Sequence, residues 1–272
     1  MNASLKKIFL IALLGMYGFC ASAQDRFFAR TYTSNVLPKG DIDLEFWHTS
    51  RFGHQQQFFH AQDQRIELEI GLGKNIQTAF YLNRFQTRFS EGSTGTSTSS
   101  EIGFSNEWKI KLSDPTANKV GLSLYAEASV IGGDEFELET KVILDKYVGR
   151  NLFAFNAVAE FEKEFNWESQ RVRSSGWGTP IEFDFAYMYD IKPTFGAGIE
   201  VVNKNDIDKG DGWKNSIFYA GPTLNFRGNK WFVIINYLPQ LQNVHKTSFS
   251  PASKVLDVHE RSDARIVFGV SL

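Results

Sequence analysis

Cysteine is almost missing from this chain: 272 residues carry one, Cys20. Neither a disulfide framework nor a thiolate metal centre can be built from it. Long apolar runs are missing as well, because beyond residue 23 no stretch approaches the ~18 apolar residues that mark a membrane-spanning helix. No large excess of either charge exists: the formal net charge is −2 and the pI is near 6.2, which gives no basic footprint for nucleic acid. Proline (7) and methionine (3) are scarce, whereas Phe (25), Tyr (9), Trp (6) and Gly (22) are plentiful. With a mean hydropathy of −0.27, such an aromatic chain fits neither a helical membrane protein nor a disordered one.

Residues 1–23 read as a cleaved secretory signal peptide. Lys6 and Lys7 precede an apolar run from Ile8 to Phe19, and Ala21-Ser22-Ala23 supplies the small residues a peptidase needs. That run is too short for the ~20 residues of a spanning helix. Cys20 as a lipid attachment site is the alternative, but the bulky Phe19 precedes it. The expected mature domain is 24–272.

What the mature chain has in abundance is period-two alternation. In "KGDIDLEFWHTSRF", Ile42, Leu44, Phe46 and His48 alternate with Asp41, Asp43 and Glu45, as in a strand whose two faces meet different solvents. Comparable runs recur near 62–71, 74–86, 99–112, 119–130, 136–146, 150–165, 180–190, 193–203, 214–227, 230–240 and 256–272. Each is ~10 residues or longer, enough to cross a bilayer at a tilt. Tight connections such as "GLGK", "IKP" and "RGN" alternate with long polar ones such as "GHQQQFFHAQ" and "QLQNVHKTSFSPASKV". This two-beat pattern predicts an all-β fold: one antiparallel transmembrane β-barrel of about 12 strands in the bacterial outer membrane, with short periplasmic turns and long extracellular loops.

On that register the apolar residues face lipid and the charged ones line the lumen. The expected lining acids are Asp41, Asp43, Glu45, Glu67, Glu69, Glu101, Glu107, Glu127, Glu137, Glu139, Glu160, Glu162, Glu164, Glu182, Asp184, Glu200 and Asp263. The bases are Arg51, Arg65, Lys109, Lys111, Lys141 and Arg265. Acids far outnumber bases, the wrong sign for an anion channel. Two readings of the lumen follow: a plugged or narrow interior filled by ion-pair networks, or a pore for small neutral or cationic solutes. The last run, "DARIVFGVSL", resembles the C-terminal signal strand of outer-membrane barrels, except that Leu272 stands where an aromatic is usual.

Leu37-Pro38-Lys39-Gly40 and Tyr81-Leu82-Asn83 resemble the first hairpins of a family of uncharacterised bacterial outer-membrane barrel proteins, with Ile70-Gly71 replacing a Tyr-Gly step. The resemblance implies a barrel and no assigned activity or catalytic residue.

His48-Thr49-Ser50 resembles the His and Ser of outer-membrane phospholipase A, which stand two apart on the lipid-facing side of a strand. Residues i and i+2 share a face, so His48 could serve as base to Ser50. No Asn-Gly-Arg follows Ser50, and a lipid hydrolase is the alternative to the channel. His54, His60 and Asp63 could meet His245 and His259 at one rim, yet no H-x-x-x-H spacing occurs, and no metal or cofactor is expected. "GSTGTSTSS" (92–100) reads as a flexible solvated loop, lacking the Lys of a phosphate cradle. Phe58, Phe59 and Trp177 could stack on sugars, which keeps a surface ligand-binding barrel among the alternatives. The expected partners are outer-membrane lipids, the barrel assembly machinery and small solutes, with no nucleic acid; oligomeric state stays open.

Overall fold

The computed structural model describes residues 26–54, 58–91, 95–133, 135–164, 179–208 and 210–272. Twelve strands close into one antiparallel barrel: β1 (Ile42–Phe52), β2 (Phe59–Gly73), β3 (Ile76–Glu91), β4 (Gly95–Ser113), β5 (Gly121–Ile131), β6 (Glu135–Val148), β7 (Asn151–Glu164), β8 (Ile181–Lys192), β9 (Phe195–Asp208), β10 (Gly212–Arg227), β11 (Trp231–Asn243) and β12 (Ser262–Ser271). Each pairs with its neighbour in sequence, and β1 pairs with β12 to close the ring. Closure satisfies the ladder groups of every strand without a free edge, the condition for crossing hydrocarbon with strands. The barrel belongs to the bacterial outer membrane.

The alternation that predicted the strands is the alternation of their environments. On β1, Asp43, Glu45, Trp47 and Thr49 are buried inside, while Phe46 and Phe52 are exposed on the outer face. On β8, Asp184, Ala186 and Met188 point inward and Phe183, Phe185 and Tyr189 outward. Facing aromatics pair across strands on the lipid side: Phe46 stacks on Phe268 and Phe155 on Phe183. The apolar exterior is therefore a continuous aromatic and aliphatic band, as a barrel in lipid requires.

Two sequence expectations on strand limits need correction. The Gly-Ser-Thr stretch is not wholly loop, because Gly95–Ser100 pairs with Gln86–Glu91 and lengthens the β3–β4 hairpin. The last strand begins at Ser262 rather than near residue 256, because the preceding residues fold back into the barrel. The expected signal peptide, 1–23, and Trp177 lie outside the described residues.

Candidate functional site

The lumen is filled by the chain's own N-terminal segment. Residues 26–41 form no strand. An irregular segment in a closed barrel has to find partners for its backbone groups among wall side chains, and the wall offers amides and carboxylates at the required inward positions. Asn156 Oδ1 accepts from Tyr32 N (2.7 Å) while its Nδ2 donates to Tyr32 O (3.0 Å). Gln77 Oε1 accepts from Leu37 N (2.8 Å), and Asn225 Nδ2 donates to Phe27 O (2.8 Å). Glu200 accepts from three consecutive amides, Ala29 N (3.1 Å), Arg30 N (2.8 Å) and Thr31 N (3.0 Å), in an anion-binding nest.

Side chains of the segment fasten it further. Arg26 Nε lies 3.0 Å from Glu45, and its Nη2 lies 3.6 Å from both Glu67 and Glu69. All four side chains are essentially sealed from solvent, and the guanidinium is sandwiched between the rings of Trp47 (4.2 Å) and Tyr32 (4.3 Å). Arg30 pairs with Asp263. Phe28 packs into an inner apolar cluster with Leu152, Ala154, Ala186 and Met188. Ser34 Oγ donates to Asp145 (2.5 Å), and Ser123 Oγ donates to Ser34 O (2.7 Å).

The segment leaves the lumen at Leu37-Pro38-Lys39-Gly40. Gly40 has φ +90°, a turn that other residues resist, and its N–H donates to Gly71 O (2.8 Å). A Cβ on Gly71 would sit 1.9 Å from Pro38 O. The two glycines of the motifs singled out in sequence thus meet where the segment passes over the end of β2.

The opposite mouth is narrowed from outside. The β11–β12 connection folds inward, and Val255 packs with Val202, Ile217, Tyr219 and Leu238. Gln240 accepts from Val255 N (2.8 Å) and donates to Glu260 O (3.1 Å), while Lys204 Nζ reaches the Glu260 carboxylate at 3.0 Å. Burial pushes the Glu260 carboxyl up, but Lys204 and Arg51 outweigh it and hold it well below the usual carboxylate range. Between segment and mouth remains a cavity of about 170 Å³. Arg30 and Tyr32 of the segment, with Trp47, Arg65, Lys141 and Arg265 of the wall, line it opposite Glu139, Glu182 and Asp184.

The predicted lumen residues fall as follows. Asp43, Glu45, Glu67, Glu69, Glu107, Lys109, Glu127 and Asp184 are buried on the inner side. Arg65 pairs with Glu127 (3.5 Å) and Lys141 with Glu139 (2.9 Å). Arg265 donates to Thr49 (2.8 Å) and to Ala29 O (3.1 Å). Glu137 and Glu139 follow the inward register of Glu127 and Ser129. Arg51 pairs with Asp63 near the mouth (2.8 Å). Asp41 is a correction: it lies exposed at the periplasmic rim ahead of β1. Glu101 is likewise exposed, on the lengthened hairpin. Sequence reasoning missed Arg26 and Arg30, the cations that answer the excess of wall acids. The available signal was "RFFARTY", two arginines among aromatics just ahead of the first strand, together with lone amides at inward strand positions.

On the outer face His48 Nε2 lies 3.0 Å from Ser50 Oγ, the contact a base and nucleophile need. Among the described residues, no carboxylate or amide binds His48 Nδ1. The rim histidines do not converge: His54 stacks on Phe59, His60 on Phe52 and His245 on Trp213, while His259 bonds Asp206 at 2.7 Å. Among the described residues the one cluster with metal-ligand proximity is Glu45, Glu67 and Glu69, and Arg26 occupies its centre of charge.

Comparison with known proteins places these features in context. A family model described as Family of unknown function (DUF6662) matches residues 20–272. No curated protein matches the sequence. Among solved structures, the chain is similar to the COG4313 outer membrane channel from Pseudomonas putida F1, at 11% identity and a TM-score of 0.61, covering 88% of this chain and 98% of that one. It is also similar to the NanC porin, at 12% identity and a TM-score of 0.52, covering 84% and 100%. Identities this low speak for the shared barrel alone.

Proposed function

Because the chain belongs to this family of unknown function, no activity is inherited, and we propose from its own residues that it is an outer-membrane channel held closed by its N-terminal segment. When the segment withdraws, small neutral or cationic polar solutes pass. The observation that carries this reading is that part of the lumen's positive charge comes from the segment and not from the wall cations Arg65, Lys109, Lys141 and Arg265. Glu45, Glu67, Glu69, Asp263 and Glu200 are answered by Arg26, Arg30 and the backbone amides of Ala29, Arg30 and Thr31, all of which belong to the N-terminal segment. Withdrawal exposes those carboxylates to water and leaves a wall that attracts cations and repels anions. The outer membrane channel and the porin among the similar structures support a transport role.

Planar-bilayer recording tests the proposal. The full mature protein is expected to rest closed, and a variant lacking residues 26–36 to conduct with cation preference. Anion preference in that variant would refute the electrostatic reading. The 3.0 Å His48–Ser50 contact favours a second reading, a lipid hydrolase. Its missing partner at Nδ1 leaves the imidazole unoriented for base chemistry, so the channel is preferred.

A further inference from the structure

The lipid-facing side of β1–β4 changes character abruptly along its length. Phe46, Ile66, Leu82 and Ile102 are all exposed there and line an outward groove of about 400 Å³. One step from Phe46, Ile66 and Leu82 toward the extracellular end, in register with Ile102, stand His48, Gln64 and Arg84; two steps further on lies Arg88, opposite His60. Arg84 Nη1 donates to Gln64 Oε1 (2.9 Å). Neither Arg84 nor Arg88 forms an ion pair among the described residues. The outward positions of this extracellular half, among them Ser50, Gln62, Gln86 and Ser100, include no acid.

A lipid-facing guanidinium costs little near the membrane interface, and an anion at that depth makes it favourable through charge-assisted hydrogen bonds. Among the described residues this face provides no anion, whereas the membrane around it does. Guanidinium groups match phosphate oxygens in geometry and charge, and an apolar groove directly beneath them suits an acyl chain. We propose that this groove is a binding site for a phosphorylated lipid of the outer leaflet. Its phosphate is held by Arg84, aided by Arg88, and its chain lies against Phe46, Ile66, Leu82 and Ile102. The site is independent of what crosses the lumen.

Native mass spectrometry of the full mature protein in detergent provides the test, with diphosphoryl lipid A, its dephosphorylated disaccharide and phosphatidylglycerol as probes. The wild type is expected to retain diphosphoryl lipid A at least tenfold better than the dephosphorylated form. Arg84→Gln should abolish that preference and Arg88→Gln should weaken it. Lys119→Gln, on the exposed periplasmic turn, should leave it intact. Heat-modifiable gel mobility shows that each variant is a folded barrel. Equal retention of the phosphorylated and dephosphorylated lipids, or full preference in folded Arg84→Gln, overturns the site. Retention of phosphatidylglycerol equal to lipid A overturns the outer-leaflet assignment.

Discussion

Replacing Arg26 by methionine should open the channel without unfolding the barrel. In the plugged state the guanidinium touches three carboxylates that water does not reach. Removing one partner of a buried ionic group typically costs about 3–5 kcal/mol, because the other charges stay desolvated with less to compensate them. That cost falls on the plugged state alone. Once the segment withdraws, Glu45, Glu67 and Glu69 face water whether or not residue 26 is arginine. The variant therefore shifts the plugged-to-open equilibrium by roughly 10²- to 10⁴-fold toward open. Single-channel recording in planar bilayers reads this as open probability. Arg26→Lys keeps the charge but loses the fork that spans three acceptors, so it should fall between the two. The reasoning is refuted if Arg26→Met, with normal heat-modifiable mobility, opens no more often than wild type.

Three further outcomes follow from the same geometry. Gly71→Ala puts a methyl against Pro38 O, so the segment should lose about 1–3 kcal/mol of docking, seen as faster proteolysis ahead of residue 40 with the barrel intact. The Glu260 carboxyl is depressed by Lys204 and Arg51, so its contribution is present above the ordinary carboxylate pKa of about 4.3 and lost as pH falls below it. Hydrogen-exchange protection in residues 250–260, corrected for the intrinsic pH dependence of exchange, should therefore fall on acidification in the wild type and be low and insensitive to pH in Glu260→Gln. Purified protein presented with phospholipid should release no fatty acid above the level of Ser50→Ala; a clear difference between them would favour the hydrolase.

The barrel was legible because lipid and lumen impose opposite demands on alternate residues, and a run such as Ile42-Asp43-Leu44-Glu45-Phe46 records both. The acidic lumen was legible for the same reason. The occupant was not. Residues 26–41 carry no period, since their backbone is satisfied one group at a time by Asn156, Gln77, Asn225 and Glu200, which come from four distant strands. A lone amide on a strand gives no sign of whether it will meet water or a peptide group. The inward fold of residues 250–260 was hidden likewise: Val255 read as the end of a solvated loop and Leu256 as the start of a strand, whereas both are buried under the mouth. Asp41 was misplaced because alternation continues one residue past the point where pairing begins.

The central claim is that the N-terminal segment sits inside the barrel in the membrane. The mature chain expected from residue 24 has no cysteine, so two can be introduced cleanly. Ser34 Oγ donates to Asp145 Oδ1 at 2.5 Å, so the two side chains are direct neighbours and Ser34→Cys with Asp145→Cys can be joined by oxidation or by a short reducible thiol cross-linker. In intact cells the pair is predicted to cross-link nearly completely, giving a mobility shift that reductant reverses. If both thiols instead stay free and react with maleimide in folded barrels, the segment is not where this account puts it.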